Sequence, residues 1–407
     1  MGLMNDESRE TGAGRDTGQA LLPIIESLCH GQVYEQCEVT LLIDGPATYD
    51  AMLEDIDGAQ ERVDLETFMF TDGEVGRKFA DALSSKARQG VRVRVIYDSF
   101  GSLEADNALF NSMQDDGVEV HEFHSLDPTE GGDPVKANTR DHRKLLVVDD
   151  EVAFTGGINI CDAYRNESWE KRMRDVLEDG WRDTHVRITG PAVEGFRRIF
   201  ESNWERQSGD ETADELSFPE PSCTGGERVA TLKSDGGDEE SPIAQAYLQA
   251  FECAESRIWI TQAYFVPDDR FLSALGQAAE RGVDVRVIVP GKSDSALVLH
   301  ASHHQYAALL KSGVRIYESH NAFVHAKTVV IDGCWASVGS SNLDYRSFLH
   351  NDEINAVIFG EQFAQQMEAQ YREDISHCDE IDPETWPERS LVQKIREKLA
   401  RLVAYWI

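Results

Sequence analysis

The sequence predicts an α/β protein made of two similar sandwich domains, which are related by a pseudo-twofold axis and share one active site. Three observations support this fold class. A motif of polar residues and glycine occurs twice with the same internal spacing, and the order of strands and helices around each copy is the same. In addition, 407 residues are enough for two hydrophobic cores of ordinary size.

The secondary structure predicted for the two halves follows one order. Strands that alternate with a helix ending at glycine indicate an α/β unit, a mixed sheet covered by helices. We predict strands over 61–67, 90–96 and 117–120 with a helix over 75–89, and strands over 256–262, 282–288 and 313–316 with a helix over 271–281. A polar segment rich in glycine and proline, 207–226, is the expected linker between a first domain over 38–206 and a second over 227–390.

The two ends of the chain differ in character. Residues 1–18 are polar and rich in glycine with no apolar period, so we expect a disordered tail. Residues 391–407 are predicted to form an amphipathic helix whose apolar face carries Leu391, Ile395, Leu399, Leu402 and Val403. Two alternatives are open for this helix: it docks on its own domain, or it is an interfacial membrane anchor.

The repeated motif gives each half one histidine, one lysine, one aspartate and one asparagine. Its members are His142, Lys144, Asp149, Gly156 and Asn159 in the first copy, and His325, Lys327, Asp332, Gly339 and Asn342 in the second. A single match has odds below about one in a million per starting position. Two matches with the same spacing are therefore not a chance result of composition.

Each motif is predicted to form a strand, a turn and a second strand. Apolar runs over 145–148 and 328–331 follow the lysines, and second short runs over 152–154 and 335–338 lead back to glycine and asparagine. Histidine and lysine two apart on a strand point the same way, with Cα atoms about 6.6 Å apart. Two such patches facing each other form a site for a phosphodiester, in which one histidine attacks phosphorus and the other protonates the leaving alcohol. This chemistry requires no metal and no cofactor.

On these motifs the chain resembles the phospholipase D superfamily, whose signature is a duplicated His-x-Lys-x4-Asp-x6-Gly-[Ser/Gly]-x-Asn pattern. Within the superfamily it is similar to the bacterial cardiolipin synthases, and the likeness runs from about residue 38 to the C-terminus. The stretches that carry this closer likeness are 154–160, 181–187, 324–327 and 342–348. Gly157, which stands where the second copy has Ser340, agrees with it, because cardiolipin synthases tend to have glycine there.

The resemblance implies a role for each motif residue. His142 would be the nucleophile that forms a phosphohistidine and His325 the general acid, or the reverse. Lys144, Lys327, Asn159 and Asn342 would bind phosphate oxygens. An acidic residue downstream of each motif would orient the imidazole: Glu353 fits this place in the second copy and Asp183 in the first, although Glu170 has the same offset from Asn159 as Glu353 has from Asn342. Asp149 and Asp332 belong to the catalytic motif, but we expect them to brace the turn rather than touch substrate.

Three functions are compatible with the resemblance. In the first, a phosphatidyltransferase makes cardiolipin and glycerol from two phosphatidylglycerol molecules. In the second, water is the acceptor and the chain is a phospholipase D-type hydrolase of lipid or, less in keeping with its charge, of nucleic acid. In the third, the chain is an inactive lipid-binding protein, which is disfavoured because both motifs are complete. The choice between the first two depends on the cleft, which the fold does not determine.

The charge of the chain constrains its partners. The net charge is −35, so attraction to an anionic phospholipid has to come from a local basic patch, and nucleic acid is not expected as a partner. Candidates near the first motif are Lys136, Arg140, Arg143, Lys144, Arg165, Lys171, Arg172 and Arg174. Since no uncharged apolar run reaches membrane-spanning length, we expect a cytoplasmic protein that associates peripherally with the inner face of the cell membrane.

Overall fold

A computed structural model describes residues 6–125, 138–166, 180–209, 226–237 and 240–402. The chain begins with helix α1, Asp6–Leu28. The elements of the first half are β1 Val33–Ile43, α2 Asp44–Gly58, β2 Arg62–Thr67, α3 Glu74–Arg88, β3 Arg92–Asp98, α4 Asn107–Asp115, β4 Glu119–Phe123, β5 Lys144–Val148, β6 Val152–Gly156, β7 Thr184–Thr189 and α5 Val193–Ser208.

The second half repeats this order with a few additions. Its elements are β8 Glu227–Ser234, α6 Pro242–Cys253, β9 Arg257–Gln262, β10 Phe265–Val266, α7 Asp269–Glu280, β11 Asp284–Pro290, α8 Ala296–Lys311, β12 Arg315–Ser319, β13 Lys327–Ile331, β14 Trp335–Gly339, β15 Leu343–Asp344, α9 Tyr345–Leu349, β16 Glu353–Phe359, α10 Glu361–Ser376, β17 Cys378–Glu380 and α11 Leu391–Arg401. The strands and helices predicted from the repeats correspond to β2, α3, β3 and β4 in the first half and β9, α7, β11 and β12 in the second.

The sheet shows the duplication directly. In the ranges that the structure describes, fifteen strands form one sheet, with the order β1-β7-β6-β5-β2-β3-β4 in the first half and β8-β16-β14-β13-β9-β11-β12-β17 in the second. In each half three strands are parallel (β2-β3-β4; β9-β11-β12) and the motif hairpin is antiparallel to them. The halves join where β1 and β8 pair antiparallel, which relates them by the predicted pseudo-twofold axis. The predicted mixed α/β fold is confirmed.

Helices cover both faces of this sheet. One apolar cluster lies under α2, α3 and α4 of the first half, and a second under α1, α6, α7 and α8 of the second half. A third cluster, which includes side chains of α5 and α10, draws on the strands of both halves. Because both faces are covered, all residues of β5, β6, β13 and β14 are buried, which explains why these strands appear in the sequence as nearly continuous apolar runs.

The termini differ from the sequence prediction in two ways. The prediction of a disordered tail over 1–18 is wrong where α1 runs, because apolar residues beyond that window, Leu21 and Ile25, bury completely in the core of the second half. Of the amphipathic helix predicted over 391–407, the structure shows α11 over Leu391–Arg401, and residues 403–407 lie outside the described residues. The described residues of its predicted apolar face are exposed, and Ala400 contacts the domain. Most of the proposed linker over 207–226 lies outside the described residues, and we keep it as the proposed boundary. Within the described ranges, no helix combines the length and apolar character needed to cross a membrane.

Candidate active site

The motif hairpins bring their histidines and lysines to one edge of the sheet. Lys144 begins β5 and pairs with Thr67, the last residue of β2. Lys327 begins β13 and pairs with Gln262, the last residue of β9. Because β2 and β9 belong to the parallel part of each half, the motifs lie at the carboxyl ends of parallel strands, the usual place for a site in an α/β sheet.

The motif aspartates brace the hairpin turns. Asp149 has a φ of 51°, and its carboxylate accepts backbone N–H groups of Gln60, Glu61 and Arg62 at 2.7–2.8 Å. Asp332 has the same φ and accepts the N–H groups of residues 255–257 at 2.8–2.9 Å, together with the hydroxyl of Thr17 at 2.6 Å. Both carboxylates fix the start of the neighbouring strand, so we class them as structural members of the motif and not as catalytic residues.

His142 is held by residues of the second half. Its Nδ1 lies 3.0 and 3.1 Å from the two carboxylate oxygens of Glu353, and its backbone N–H donates to the carbonyl of Asp352 at 2.9 Å. The hydroxyl of Ser340 donates to the same Glu353 carboxylate. The ring of Phe68 packs edge-on against the imidazole at a centroid distance of 5.0 Å. With Nδ1–H donated to Glu353, the Nε2 atom keeps its lone pair for chemistry.

His325 is held by residues of the first half in the same way. Its Nδ1 lies 2.8 Å from Oδ2 of Asp183, and its backbone N–H donates to the carbonyl of Arg182 at 2.7 Å. The hydroxyl of Tyr164 also lies 2.8 Å from Nδ1, and the ring of Trp181 packs at a centroid distance of 5.1 Å. The carboxylates predicted to orient the histidines are therefore exchanged between halves. The alternative residue, Glu170, lies outside the described residues.

The presence of glycine at position 157 has a steric explanation in this arrangement. A Cβ atom at Gly157 would lie only 2.1 Å from Oδ1 of Asp183, so no larger residue fits there. The equivalent Ser340 in the second half has room for its side chain beside Glu353 and hydrogen bonds to it. The two carboxylates are thus supported differently: Glu353 accepts the Ser340 hydroxyl, whereas Asp183 accepts the backbone N–H of Thr184 at 2.7 Å.

The two lysines are buried at the same place. The Nζ of Lys144 donates to the carbonyl of His142 at 2.6 Å, and the Nζ of Lys327 donates to the carbonyl of His325 and lies 2.9 Å from its Nδ1. Burial, together with the second ammonium group, lowers the pKa of Lys144 to about 7. Burial likewise lowers the pKa of Lys327 to about 8. The cationic site is therefore unfavourable without an anion and is prepared to bind one.

The motif asparagines have their carbonyl oxygens fixed by the backbone. Oδ1 of Asn159 accepts the N–H of Met69 at 3.1 Å, and Oδ1 of Asn342 accepts the N–H of Tyr264 at 3.4 Å. These bonds orient both carboxamides, and the Nδ2 of Asn159 donates to the Tyr164 hydroxyl at 3.3 Å. The asparagines therefore adjoin the same group of side chains as the histidines, in keeping with the predicted role as donors to phosphate oxygens.

Both histidines are neutral at physiological pH. Burial, reinforced by the neighbouring lysines, lowers the pKa of His142 and of His325 to about 4, although Glu353 and Asp183 oppose the shift. Burial raises the pKa of Glu353, but His142, Lys144 and Ser340 outweigh it and bring this pKa to about 2. A neutral imidazole held by an ionised carboxylate is the state required of a nucleophile.

The lysine pKa values predict how anion binding depends on pH. Lysine is charged below its pKa, so the affinity for an oxyanion should fall as pH rises through about 7 to 8. Sulfate is a suitable probe because its charge is constant in this range, and its inhibition constant should rise between pH 6 and pH 9. Lys144→Met should weaken binding at pH 6 and flatten the profile. An inhibition constant that stays level over this range in the unaltered protein would contradict the assignment.

Of the basic patch predicted around the first motif, the members that the structure describes are mostly buried or paired with carboxylates. Arg143 is buried against Glu66, Asp235 and Asp352, and Arg140 is buried beside Asp98. The charges of Arg140 and Arg143 are already neutralised by these carboxylates, and Lys144 is buried as well, so these three cations do not form an open surface. Arg165 is exposed but lies 3.6 Å from Glu74. Lys136, Lys171, Arg172 and Arg174 lie outside the described residues.

Several residues of the site have little signal in the sequence. Trp181 looks like a core residue, and Phe68 belongs to no motif, yet both rings contact a motif histidine. Tyr164 lies just past the first motif, at a position where the sequence does not distinguish a residue that lines the pocket from one that only packs in the core. The available signal was the stretch 181–187, which carries part of the family resemblance and contains both Trp181 and Asp183.

Comparison with known proteins identifies the family of the chain. A family model described as "Cardiolipin synthase, PLD-like domain" matches residues 52–177 and 247–375, one segment in each half. A cardiolipin synthase of Listeria monocytogenes is 35% identical over 370 residues, which cover 90% of this chain and 75% of the relative. A probable cardiolipin synthase of Bacillus subtilis is 31% identical over 397 residues, which cover 98% of this chain and 78% of the relative.

Solved structures share the fold at low sequence identity. A phosphatidylserine synthase from Haemophilus influenzae superposes with a TM-score of 0.66 and 15% identity, covering 95% of this chain and all of that one. A polyphosphate kinase from Porphyromonas gingivalis superposes with a TM-score of 0.56 and 13% identity, covering 85% of this chain and 49% of that one. These two similarities concern the fold.

Proposed function

The chain belongs to the cardiolipin synthase family of phospholipase D-like proteins, and on that premise we propose that it makes cardiolipin from two molecules of phosphatidylglycerol through a phosphohistidine. As a member of this family it is a phosphatidyltransferase that synthesises cardiolipin. The phosphatidylglycerol donor, the covalent intermediate and the residue roles are the proposed part. The observation that supports them best is the exchanged pairing of His142 with Glu353 and of His325 with Asp183.

In the first half-reaction, Nε2 of His142 attacks the phosphorus of phosphatidylglycerol. A P–N bond forms, the P–O bond to the headgroup glycerol breaks, and His325 supplies the proton that leaves with glycerol. The lysines and asparagines stabilise the charge that develops on the phosphate oxygens. A bound phosphodiester also opposes the charge of the two ammonium groups, which raises the pKa of the histidines and allows one of them to carry the proton. The same geometry supports the reverse assignment of the two histidines.

In the second half-reaction, the headgroup hydroxyl of another phosphatidylglycerol attacks the same phosphorus. His325, now neutral, accepts the hydroxyl proton, a P–O bond forms, and the P–N bond to His142 breaks. The products of the complete cycle are cardiolipin and one glycerol. Both histidines are buried, at 7% and 4% exposure, which supports transfer to an alcohol held in the cleft over transfer to bulk water.

The proposed substrate indicates where in the cell the protein acts. Phosphatidylglycerol stays in a bilayer, so we propose that the protein works at the surface of a membrane with anionic lipid and associates with it peripherally at the inner face of the cell membrane. A hydrolase that uses water on the same phosphohistidine is the alternative function, because hydrolysis and transfer differ only in the acceptor.

The experiment that tests this function uses purified protein and phosphatidylglycerol in mixed detergent micelles, with products resolved by mass spectrometry. We expect cardiolipin and free glycerol in equal amounts. Phosphatidic acid without cardiolipin would mean that water is the acceptor and that the chain is a phospholipase. No turnover of phosphatidylglycerol would contradict the proposed donor.

A further inference from the structure

The exposed apolar side chains of this protein are concentrated in two places. Among the described residues, eight large apolar side chains are exposed. Four of them lie on α11 and a fifth, Leu402, directly follows it; each is more than half exposed: Leu391, Val392, Ile395, Leu399 and Leu402. The other three are Phe100, Leu103 and Leu297, in segments that follow β3 and β11. Soluble proteins seldom expose contiguous apolar stripes without a partner for them.

Helix α11 is attached to the domain by its opposite side. Ala400 is buried against Val266 and Ala301. Glu397 is also buried and accepts a hydrogen bond from Arg389 at 3.0 Å. A capping box of Ser390 and Gln393 fixes the start of the helix. The helix is therefore formed and oriented, and its leucine stripe faces away from the protein because the stripe repeats every three to four residues along one side.

The C-terminal end of α11 lies near the edge of the sheet that holds the active site. Ala400 contacts Ala301, whereas Trp386, before α11, packs on Tyr306, so α11 runs antiparallel to α8. The C-terminal end of α11 thus reaches the first turn of α8, where Leu297 is exposed. That turn follows the carboxyl end of β11, and Phe100 and Leu103 follow the carboxyl end of β3. Both strands end at the edge that carries the catalytic motifs.

The charge of α11 is opposite to that of the rest of the molecule. The helix carries four basic residues, Lys394, Arg396, Lys398 and Arg401, and one acidic residue, Glu397, in a chain with a net charge of −35. The four basic side chains are exposed. A symmetric contact between two copies through this stripe would bring two basic helices together, which is unfavourable. Apolar residues flanked by exposed cations instead match the surface of a bilayer that contains anionic lipid.

We propose that α11, together with Phe100, Leu103 and Leu297, docks the protein on an anionic phospholipid bilayer with the active-site edge facing the lipid. The leucine stripe enters the headgroup region and the basic side chains contact lipid phosphates. This inference rests on the proposed function and names the surface by which the enzyme reaches its substrate. It also explains how a strongly acidic protein approaches an acidic membrane, since the contact is made by the basic helix.

Flotation with vesicles tests the proposal. Wild-type protein should float with vesicles of equal parts phosphatidylglycerol and phosphatidylcholine, and bind vesicles of phosphatidylcholine alone more weakly. Ile395→Glu combined with Leu399→Glu should weaken binding about tenfold or more, because both side chains lose their burial in lipid. Ile395→Leu combined with Leu399→Met keeps the apolar area and should bind like wild type. Wild-type binding by the double glutamate variant would overturn the proposal.

A second pair of variants tests the charge. Arg396→Gln with Lys398→Gln should lose most of the preference for phosphatidylglycerol vesicles, whereas Lys78→Gln with Arg88→Gln, which removes two exposed charges from α3, should keep it. If the Arg396→Gln, Lys398→Gln variant kept its preference for phosphatidylglycerol vesicles, the proposed contact between the basic side chains and lipid phosphates would be wrong. A dimer by size-exclusion chromatography that the glutamates dissociate, with vesicle binding unaffected, would assign the stripe to a second copy and overturn lipid docking.

Activity in detergent micelles separates this inference from the proposed function. The double glutamate variant should lose turnover on vesicles but keep wild-type turnover in mixed micelles, where no bilayer has to be reached. If the wild type made no cardiolipin in micelles, the proposed function would fail, and flotation would still decide the docking surface. If the variant lost turnover in micelles as well, α11 would be required for the structure of the domain, and its assignment to docking would be wrong.

Discussion

Replacement of either motif histidine by asparagine is expected to lower the rate of cardiolipin formation by about 10³-fold or more. In the proposed mechanism, His142 and His325 form the P–N bond and move the proton, and each imidazole is positioned by a carboxylate that is already ionised. Asparagine keeps a polar side chain but supplies neither a nucleophile nor an acid. The measurement is the initial rate with phosphatidylglycerol in micelles, where membrane docking does not contribute.

Detection of the covalent intermediate in each histidine variant shows which histidine is the nucleophile and which is the general acid. With radiolabelled phosphatidylglycerol, the variant that lacks the nucleophile should form no phosphatidyl-protein adduct. The variant that lacks the general acid should form it slowly and retain it for longer, because the second half-reaction also needs that group. If both single variants form the adduct at the wild-type rate, the phosphohistidine mechanism is wrong. His303→Asn is a matched control, since His303 also pairs with a carboxylate, Glu318, at 2.9 Å but lies outside both motifs.

The fold was predictable because the same information occurs twice in the chain. Strands buried on both faces appear as apolar runs, and helices that end at glycine separate them, so β2, α3 and β3 could be located from the sequence and checked against β9, α7 and β11. The residues of the candidate site could be located in the sequence for a related reason. His142 and Lys144 must precede a buried strand to reach the edge of the sheet, and the fixed spacing to Asn159 is the length of the hairpin that follows.

Other features depend on contacts that the sequence does not encode locally. The pairing of Glu353 with His142 joins residues from opposite halves, and neither motif indicates which histidine its carboxylate will meet. The burial of Arg143 depends on Glu66, Asp235 and Asp352, which are distant in the chain, so a basic residue beside the motif looked exposed. The sequence pattern of α11 predicts an apolar face, but an amphipathic pattern does not indicate whether that face packs on the protein's own domain or on a membrane.

Because each motif histidine is oriented by a carboxylate from the other half, replacing that carboxylate is expected to have the second large effect on the rate. Glu353→Gln should lower kcat by about 10² to 10⁴-fold. Glutamine is close in size to glutamate, so the site should keep its shape, but its amide no longer favours Nδ1–H on His142. The tautomer with a proton on Nε2 becomes available, and this tautomer has no lone pair where the attack on phosphorus starts. Asp183→Asn should have the same consequence for His325.

The pairing itself can be tested without activity. A ring N–H proton donated to a buried carboxylate should give a separate downfield resonance, which the two histidine variants assign to His142 and His325. Glu353→Gln should then shift the His142 signal and leave the His325 signal in place, whereas Asp183→Asn should do the opposite. Glu368→Gln is a suitable control, because Glu368 is a buried carboxylate that pairs with Arg257. It should change stability and leave both histidine signals unmoved.

The resonance shifts also distinguish one shared site from two independent sites. If Glu353→Gln shifted the signal of His325, each half would orient its own histidine, and the pseudo-twofold interface would only hold two independent sites together. With the exchanged pattern, neither half can be active alone, because each lacks the carboxylate that keeps its imidazole in the reactive tautomer. The duplicated motif then acts as one site, and both halves are needed for a single P–N bond.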